Sequence, residues 1–534
     1  MKVVIESCHM HCWIAALRQR KRAPLPPAGY GMSRFDSGDR HVLGLLSRIQ
    51  GEKFNDSARI AAVIPYCLDS GREVMMSCEQ GFHIGYFGDV RRQRVGASLF
   101  ERVVETGSLV LRHIGSDRRG EMSAQRFLTS RNVTHQEILA TAGQRTASAC
   151  AGRRIVAAQD TTEINFKDRD RARKGLGPAG DGQTPGFFCH AMVAIDAEDE
   201  ALLGVVHAHI WTRSLKPVTA RRSRPIEQKE SMRWIEGTVA ASDLLGSAAQ
   251  LIVLGDREFD IYEQFVRVPP SVELIVRAAQ NRKLADDDKR LFAAASDWHA
   301  FGVMEVRVPP HRPGELARIA RVSVKAGRVC IAKPANRANS ADPASVTLAM
   351  VEVHEIDPPK GHNPIVWRLL TTMPVCGQPD EFAAANEIVQ LYRLRWRIEQ
   401  TFRAMKSDGL RLEETQVHEA SRLFKLTAIA LIAAARTIQL VDARDGSSRP
   451  ASDVADDDLL TAAEAIGPTL EGKIERQKNP HPKRSLAWLS WIVARLGGWN
   501  CYYKPPGPKT MRTGWTKLAD RAEGYRVAMA MQNV

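Results

Sequence analysis

Cysteine is sparse and unpatterned in this 534-residue chain: nine residues, at 8, 12, 67, 78, 150, 189, 330, 376 and 501. An odd, scattered set in a long chain is no disulfide framework and fits a reduced compartment. Cys8, His9, His11 and Cys12 cluster, but no second pair follows at the spacing of a structural zinc site, so zinc is not expected there. Long apolar runs are also missing. The longest candidate, LTAIALIAAA at 426–435, is bracketed by Lys425 and Arg436 and falls far short of the ~20 residues of a membrane span. It reads as a buried helix. The start, MKVVIESCHMHCWIAALRQRKR, has no basic region ahead of a clean apolar run, which argues against a signal peptide. No internal repeat is apparent.

What the chain has in excess is positive charge, +14 at neutral pH, with an isoelectric point near 9.5. That favours a polyanionic partner and says nothing of fold. A hydrophobic content of 44% argues against general disorder, and the length predicts two to four domains. RAPLPPAGYGMSRFDSGD reads as a linker, and Met32 within it makes a later start conceivable. Helical spacing follows, with Val95, Leu99 and Val103 on one face, Arg91, Arg92 and Arg94 clustered nearby, and Asn132 or Thr134 placed to cap a further helix. RRIVAAQDTTEINF predicts a strand ending at polar residues. FFCHAMVAIDAEDEALLGVVHAHIW predicts a hairpin, and LIVLGDREFDIYEQF a strand running into a helix. VELIVRAA, VMEVRVPP, ARVSVKAGRVCIAK, VTLAMVEVHEI and VWRLLTTMPV predict an antiparallel β segment. Helices return after 386, and the tail is expected to hold short helices and a PPGPKT turn.

The run YRLRWRIEQTFRAMK places Tyr392, Arg395, Glu399 and Lys406 on one expected helix. At about 100° per residue they fall at roughly 0°, 300°, 340° and 320°. A structural stripe should be apolar; this one joins a carboxylate, two cations and a phenol, suited to holding a metal beside a phosphate backbone. Asp160 and Asp256 each end a strand candidate. Convergence of carboxylates from separate elements is what metal-dependent phosphoryl transfer needs, and Mg²⁺ prefers such oxygen ligands. Each acid also has a structural alternative: Asp160 as a cap of DTTE, Asp256 paired with Arg257 or opening a helix, Glu399 in a surface ion pair. Asp168, Asp196 and Asp260 compete for the same roles.

At these residues the chain resembles the IS4-family DDE transposases, especially the Tn5-like branch. QDTTEINF at 159–166 resembles the first-Asp motif and LGDREFDIYE at 254–263 the second. Tyr392, Arg395, Glu399 and Lys406 match the Y-(2)-R-(3)-E-(6)-K signature, and LLTTMPV and the GxGxxxDGQTPGFFCH stretch are also similar. The resemblance covers roughly 82–534. It implies an α/β fold, an RNase H-like catalytic core with an inserted antiparallel β domain, flanked by N- and C-terminal helical regions. The implied division is 1–75 extension or linker, 76–145 transposon-end-binding domain, 146–265 first part of the core, 266–385 β-rich insertion, 386–450 second part, and 451–534 C-terminal pairing region.

The resemblance further implies that Asp160, Asp256 and Glu399 hold two Mg²⁺ ions, with Mn²⁺ able to substitute. Tyr392, Arg395 and Lys406 would contact phosphates near the cut. Trp367 would stack beside a flipped nucleotide, Arg91, Arg92 and Arg94 would lie on a DNA-contacting helix, and Arg257 would support Asp256 or make a structural ion pair. Partners would be transposon-end and target DNA, bound by a homodimer on paired ends in a prokaryotic cytoplasm, at the nucleoid and without membrane. Gln400 stands where relatives often carry a second Glu, and about eighty residues precede the familiar region. A nuclease without strand transfer, a non-catalytic transposase-derived DNA-binding protein and a basic structural protein are the alternatives.

Overall fold

The computed structural model describes residues 82–532 apart from 167–172, 181, 183, 215–223, 309–317, 338–339, 360–363, 407–408, 448 and 503. Residues 80–534 group as one compact unit. The Cys8–Cys12 cluster, the Pro/Gly-rich stretch around Met32 and the competing Asp168 lie outside the described residues.

Among the described residues four helices come first: α1 (Val90–Thr106), α2 (Leu111–Gly115), α3 (Arg118–Thr129) and α4 (His135–Cys150). Their caps follow from local chemistry. Asp89, Asp117 and Thr134 each accept a hydrogen bond from an otherwise unpaired first-turn amide, so Thr134 rather than Asn132 caps α4. Strands β1 (Arg154–Asn165), β2 (Gly177–Ala179), β3 (Thr184–Asp196) and β4 (Leu202–Trp211) are followed by α5 (Met232–Leu244), β5 (Gln250–Gly255), α6 (Tyr262–Val266) and β6 (Val272–Arg277). Next come α7 (Leu291–Ser296), β7 (Gly302–Val308), β8 (Arg318–Ala332), β9 (Ser345–Glu355) and β10 (Val366–Thr371). The helices α8 (Glu381–Arg393), α9 (Trp396–Lys406), α10 (Ala420–Ala443), α11 (Asp457–Leu470), α12 (Leu486–Leu496) and α13 (Pro508–Gln532) complete the chain.

All ten strands share one sheet, in the order β2-β3-β1-β5-β6-β10-β9-β8-β7 with β4 also on β3. β1, β5 and β6 run parallel, and the remaining pairs are antiparallel. The result is a mixed α/β architecture around a large central sheet. β6, part of the segment expected to be a β insert, pairs parallel with β5 at the centre. β7–β10 then extend that same sheet.

The two-residue period of a strand sorts β1 between two cores. Val156 and Ala158 pack with α8–α10 and α12, whereas Ile155 and Ala157 pack with α5. Burial on both faces explains the nearly continuous apolar run. Contrary to expectation, β1 does not end at Asp160. Its pairing with β5 stops at Ala158, but the ladder with β3 continues to Asn165. Asp160 is therefore where β1 leaves β5.

α10 is longer than the apolar run suggested. Its 24 residues would reach across a membrane, but 83% of its most apolar stretch is buried within the protein. Lys425 donates to the Leu128 and Ser130 carbonyls at 2.8 Å, and Gln439 to Leu203 O at 2.8 Å, fastening α10 to α3 and β4. The tail differs too, because α13 alone spans 25 residues.

Candidate active site

Ala158 pairs with Leu254 in the parallel β1–β5 ladder. Two residues beyond that pair, Asp160 lies where β1 leaves β5, and Asp256 directly follows the carboxyl end of β5. Each carboxylate is oriented by a nearby amide: Thr161 N donates to Asp160 Oδ1 at 2.7 Å, and Glu258 N to Asp256 Oδ1 at 2.8 Å. Asp256 is thus the N-cap of a short 3₁₀ turn, Arg257–Phe259. Gly255 permits that turn, since a Cβ there would lie 2.2 Å from the Phe259 ring.

The expected single helix through Tyr392 and Lys406 is broken. Tyr392 lies in the last turn of α8, Arg395 lies in a two-residue break, and Glu399 and Lys406 belong to α9. The hydrogen bonds there tighten to i→i−3, from Leu394 N to Leu391 O and from Arg395 N to Tyr392 O, each at 3.0 Å. No glycine or proline causes this. Leu391, Leu394 and Ile398 remain buried across the break, so packing imposes it. One consequence is electrostatic: Glu399 falls in the first turn of a new helix, where the dipole favours a carboxylate.

Arg395 joins the elements. Its guanidinium contacts Asp160 Oδ2 at 3.3 Å and Glu399 Oε1 at 2.5 Å, with only 10% of the side chain exposed. Burial disfavours its charge, but Tyr392, Glu399 and Asp160 outweigh that and raise its pKa. The Asp160 carboxyl is pushed up to about 7, first by burial and then by Asp256; Arg395 and the Thr161 amide oppose the shift, while Glu399 adds to it. Asp160 therefore feels both of the other acids. Even so, no group of three or more acids, histidines or cysteines among the described residues is gathered closely enough to hold a metal ion. The donor chemistry nevertheless suits one. The set is all oxygen, which is what a hard divalent cation prefers, and Asp256 and Glu399 both lie close enough to act on the Asp160 carboxyl.

The other expected residues fare differently. Tyr392 is buried, with its hydroxyl beside Arg395 and Arg277, and burial raises its pKa. Lys406 is held by the Glu163 carbonyl and by Glu413 at 3.2 Å. Trp367 is 5% exposed and packs edge-on against Tyr392 and Trp396, so its faces are closed to a base in this arrangement. Arg91 and Arg94 are exposed on α1, whereas Arg92 turns back to the Phe87 carbonyl at 2.6 Å. Arg257 is exposed, and its side chain makes no hydrogen bond or ion pair among the described residues; it lines a cleft of about 800 Å³ beside the Asp256 turn. The competing acids have structural duties. Asp196 pairs with Arg153 at 2.7 Å, and Asp260 with buried Arg282 at 2.6 Å.

Residues 237–435 match the transposase DDE domain family. The match supports a DDE transposase. Such transposases are generally enzymes, act on DNA and use divalent metals. The matched stretch contains Asp256 and Glu399 but not Asp160, whose place rests on geometry.

Sequence reasoning missed a polar network behind β1. Gln159 and Thr161 face α5, opposite to Asp160. His190 joins them, with Nδ1 2.9 Å from Thr161 Oγ1 and Nε2 3.1 Å from Gln159 Oε1. Gln159 also donates to Thr238 Oγ1 at 3.3 Å. Burial, reinforced by Arg233, holds His190 well below its ordinary pKa and hence neutral. Its only sequence signal was its place at the end of the GxGxxxDGQTPGFFCH stretch. Arg277, at the end of β6 beside Tyr392, gave none.

Proposed function

We propose that this chain is a DNA transposase of the IS4 family, Tn5-like branch, that cuts at transposon ends and joins the freed ends to target DNA. The observation that carries the reading is the Arg395 bridge between Asp160 and Glu399, from separate elements, with Asp256 close enough to Asp160 to act on its charge. The parallel β1–β5–β6 centre flanked by the β3–β4 hairpin is what an RNase H-like core calls for, with β7–β9 as its insert.

Asp160, Asp256 and Glu399 would hold Mg²⁺ or Mn²⁺, two ions in the full reading. A bound divalent cation activates the attacking oxygen and stabilises the leaving one. Water attacks the phosphodiester at the element end and the 3′-oxygen leaves as a hydroxyl. That hydroxyl attacks the opposite strand to form a hairpin, a second water opens the hairpin, and the regenerated 3′-OH attacks target DNA. Among the described residues Arg395 Nε is buried without a hydrogen-bond partner, so its guanidinium retains donor capacity for a phosphate oxygen. Tyr392 backs that guanidinium. Lys406 would reach phosphate on release from Glu413, and Trp367 would meet a flipped base only after its packing opens. Arg91 and Arg94 would contact end DNA from α1, with Arg92 supporting them and Arg257 facing the strand that leaves the site. A homodimer on paired ends would be the acting species.

The test is purified protein with labelled DNA from its own genomic flanks, with and without Mg²⁺, beside Asp160→Asn. Metal-dependent cleavage and joining, both lost in the variant, are expected. Cleavage without joining would point to a nuclease instead, and binding without either reaction to a non-catalytic DNA-binding protein.

A further inference from the structure

We infer that Arg233 is a positioning residue that fixes the Asp160 and Asp256 carboxylates relative to each other; the inference rests on the metal-dependent reading above. Arg233 lies in the first turn of α5, and its side chain is 9% exposed. Its three nitrogens are all engaged. Nε donates to Thr161 Oγ1 at 3.2 Å, Nη2 to Glu258 Oε2 at 2.8 Å, and Nη1 to Glu230 O at 2.8 Å. Thr161 and Glu258 are the two residues whose backbone amides orient the carboxylates, at 2.7 Å on Asp160 and 2.8 Å on Asp256. One rigid guanidinium fork therefore ties the point where β1 leaves β5 to the turn that follows β5. The far side of Thr161 is fixed as well, by neutral His190, so the hydroxyl has one partner on each side.

A merely structural role accounts poorly for this arrangement. Glu258 is 63% exposed, and an ion pair with an exposed partner contributes little to stability. A DNA contact is no better, because Arg233 is enclosed and its nitrogens are occupied. Supports of this kind behind ligand carboxylates typically change metal affinity about 10–100-fold when removed. The sign of the effect separates positioning from charge. Deleting a cation beside an acidic site should draw a metal ion in more tightly if charge alone matters. Deleting a positioning clamp should weaken binding.

The experiment is a Mn²⁺ titration of the thermal unfolding midpoint of the full chain without DNA. It compares wild type, Arg233→Met, Arg233→Lys and Glu258→Gln, with end binding in EDTA and Mn²⁺-dependent cleavage rate measured alongside. Arg233→Met should raise the Mn²⁺ concentration for half the shift about 10-fold and slow cleavage, leaving end binding unchanged. Arg233→Lys keeps the charge but not the fork and should stay close to the methionine variant. Glu258→Gln, at an exposed site that folding tolerates, should give a smaller shift in the same direction. An unchanged or lowered Mn²⁺ requirement in Arg233→Met and Glu258→Gln, against a clear response in wild type, overturns the clamp alone. No Mn²⁺ response and no cleavage in wild type overturn the metal-dependent reading and the clamp with it.

Discussion

Asp160→Asn should flatten the pH dependence of stability in the metal-free protein. The Asp160 carboxyl titrates near 7 in the folded chain because it is buried and faces Asp256, against about 3.9 in an unfolded one. A group held above its unfolded value contributes stability that is fully present below the unfolded pKa and is lost as pH rises through the folded one. Between pH 5 and pH 8 the loss integrates to about 2–3 kcal/mol, taking 1.36 kcal/mol per unit of pKa difference. The side chain is 19% exposed, so solvent screening trims that figure without abolishing it. Urea unfolding in EDTA at the two pH values measures it. Wild type should lose more stability than Asp160→Asn on going from pH 5 to pH 8, whatever the variant costs at either pH through the weakened Arg395 contact. Mg²⁺ at pH 8 should restore wild type and leave the variant nearly unmoved, since binding stabilises in proportion to RT ln(1 + [L]/Kd). Superimposable pH profiles for the two proteins would refute the argument that burial and neighbouring acids govern Asp160.

Three further outcomes are expected. Arg282→Met strands Asp260, whose side chain is fully buried, and should cost about 3–5 kcal/mol in urea unfolding; a cost below ~1 kcal/mol would mean the pair is solvated. Gly237→Ala gains about 1 kcal/mol of helix propensity but places a methyl 2.7 Å from Gln159 Oε1. Disturbing that network should leave the variant about 1–2 kcal/mol less stable than wild type, and a more stable variant would show that Gln159 moves freely. Trp367→Ala should lose about 3–5 kcal/mol as a buried aromatic. Unaltered stability combined with failed hairpin formation would instead assign the ring to a flipped base.

Most local structure was legible from the chain. Alternation and turn chemistry located the β3–β4 hairpin and β5–β10, and a side-chain cap marked the start of α4. These signals act over a few residues, so sequence carries them directly. The acids at 160, 256 and 399 could be named as candidates, because a strand end and a charged stripe are anomalies against an apolar background, but only the family resemblance set them above their competitors. The sequence could not reveal where β1 separates from β5, since that depends on a partner strand about ninety residues away. Nor could it reveal the break at Leu394–Arg395, which has no breaker residue and is imposed by packing. That break separates Tyr392 from the helix bearing Glu399 and puts Arg395 between two carboxylates. The choice among competing acids was likewise tertiary: Asp196 and Asp260 look no different in sequence from Asp160, but ion pairing commits them elsewhere. Composition and periodicity determined which residues could do chemistry. Long-range pairing and burial decided which carboxyl groups face one another, because electrostatic coupling falls with distance in space and ignores separation along the chain.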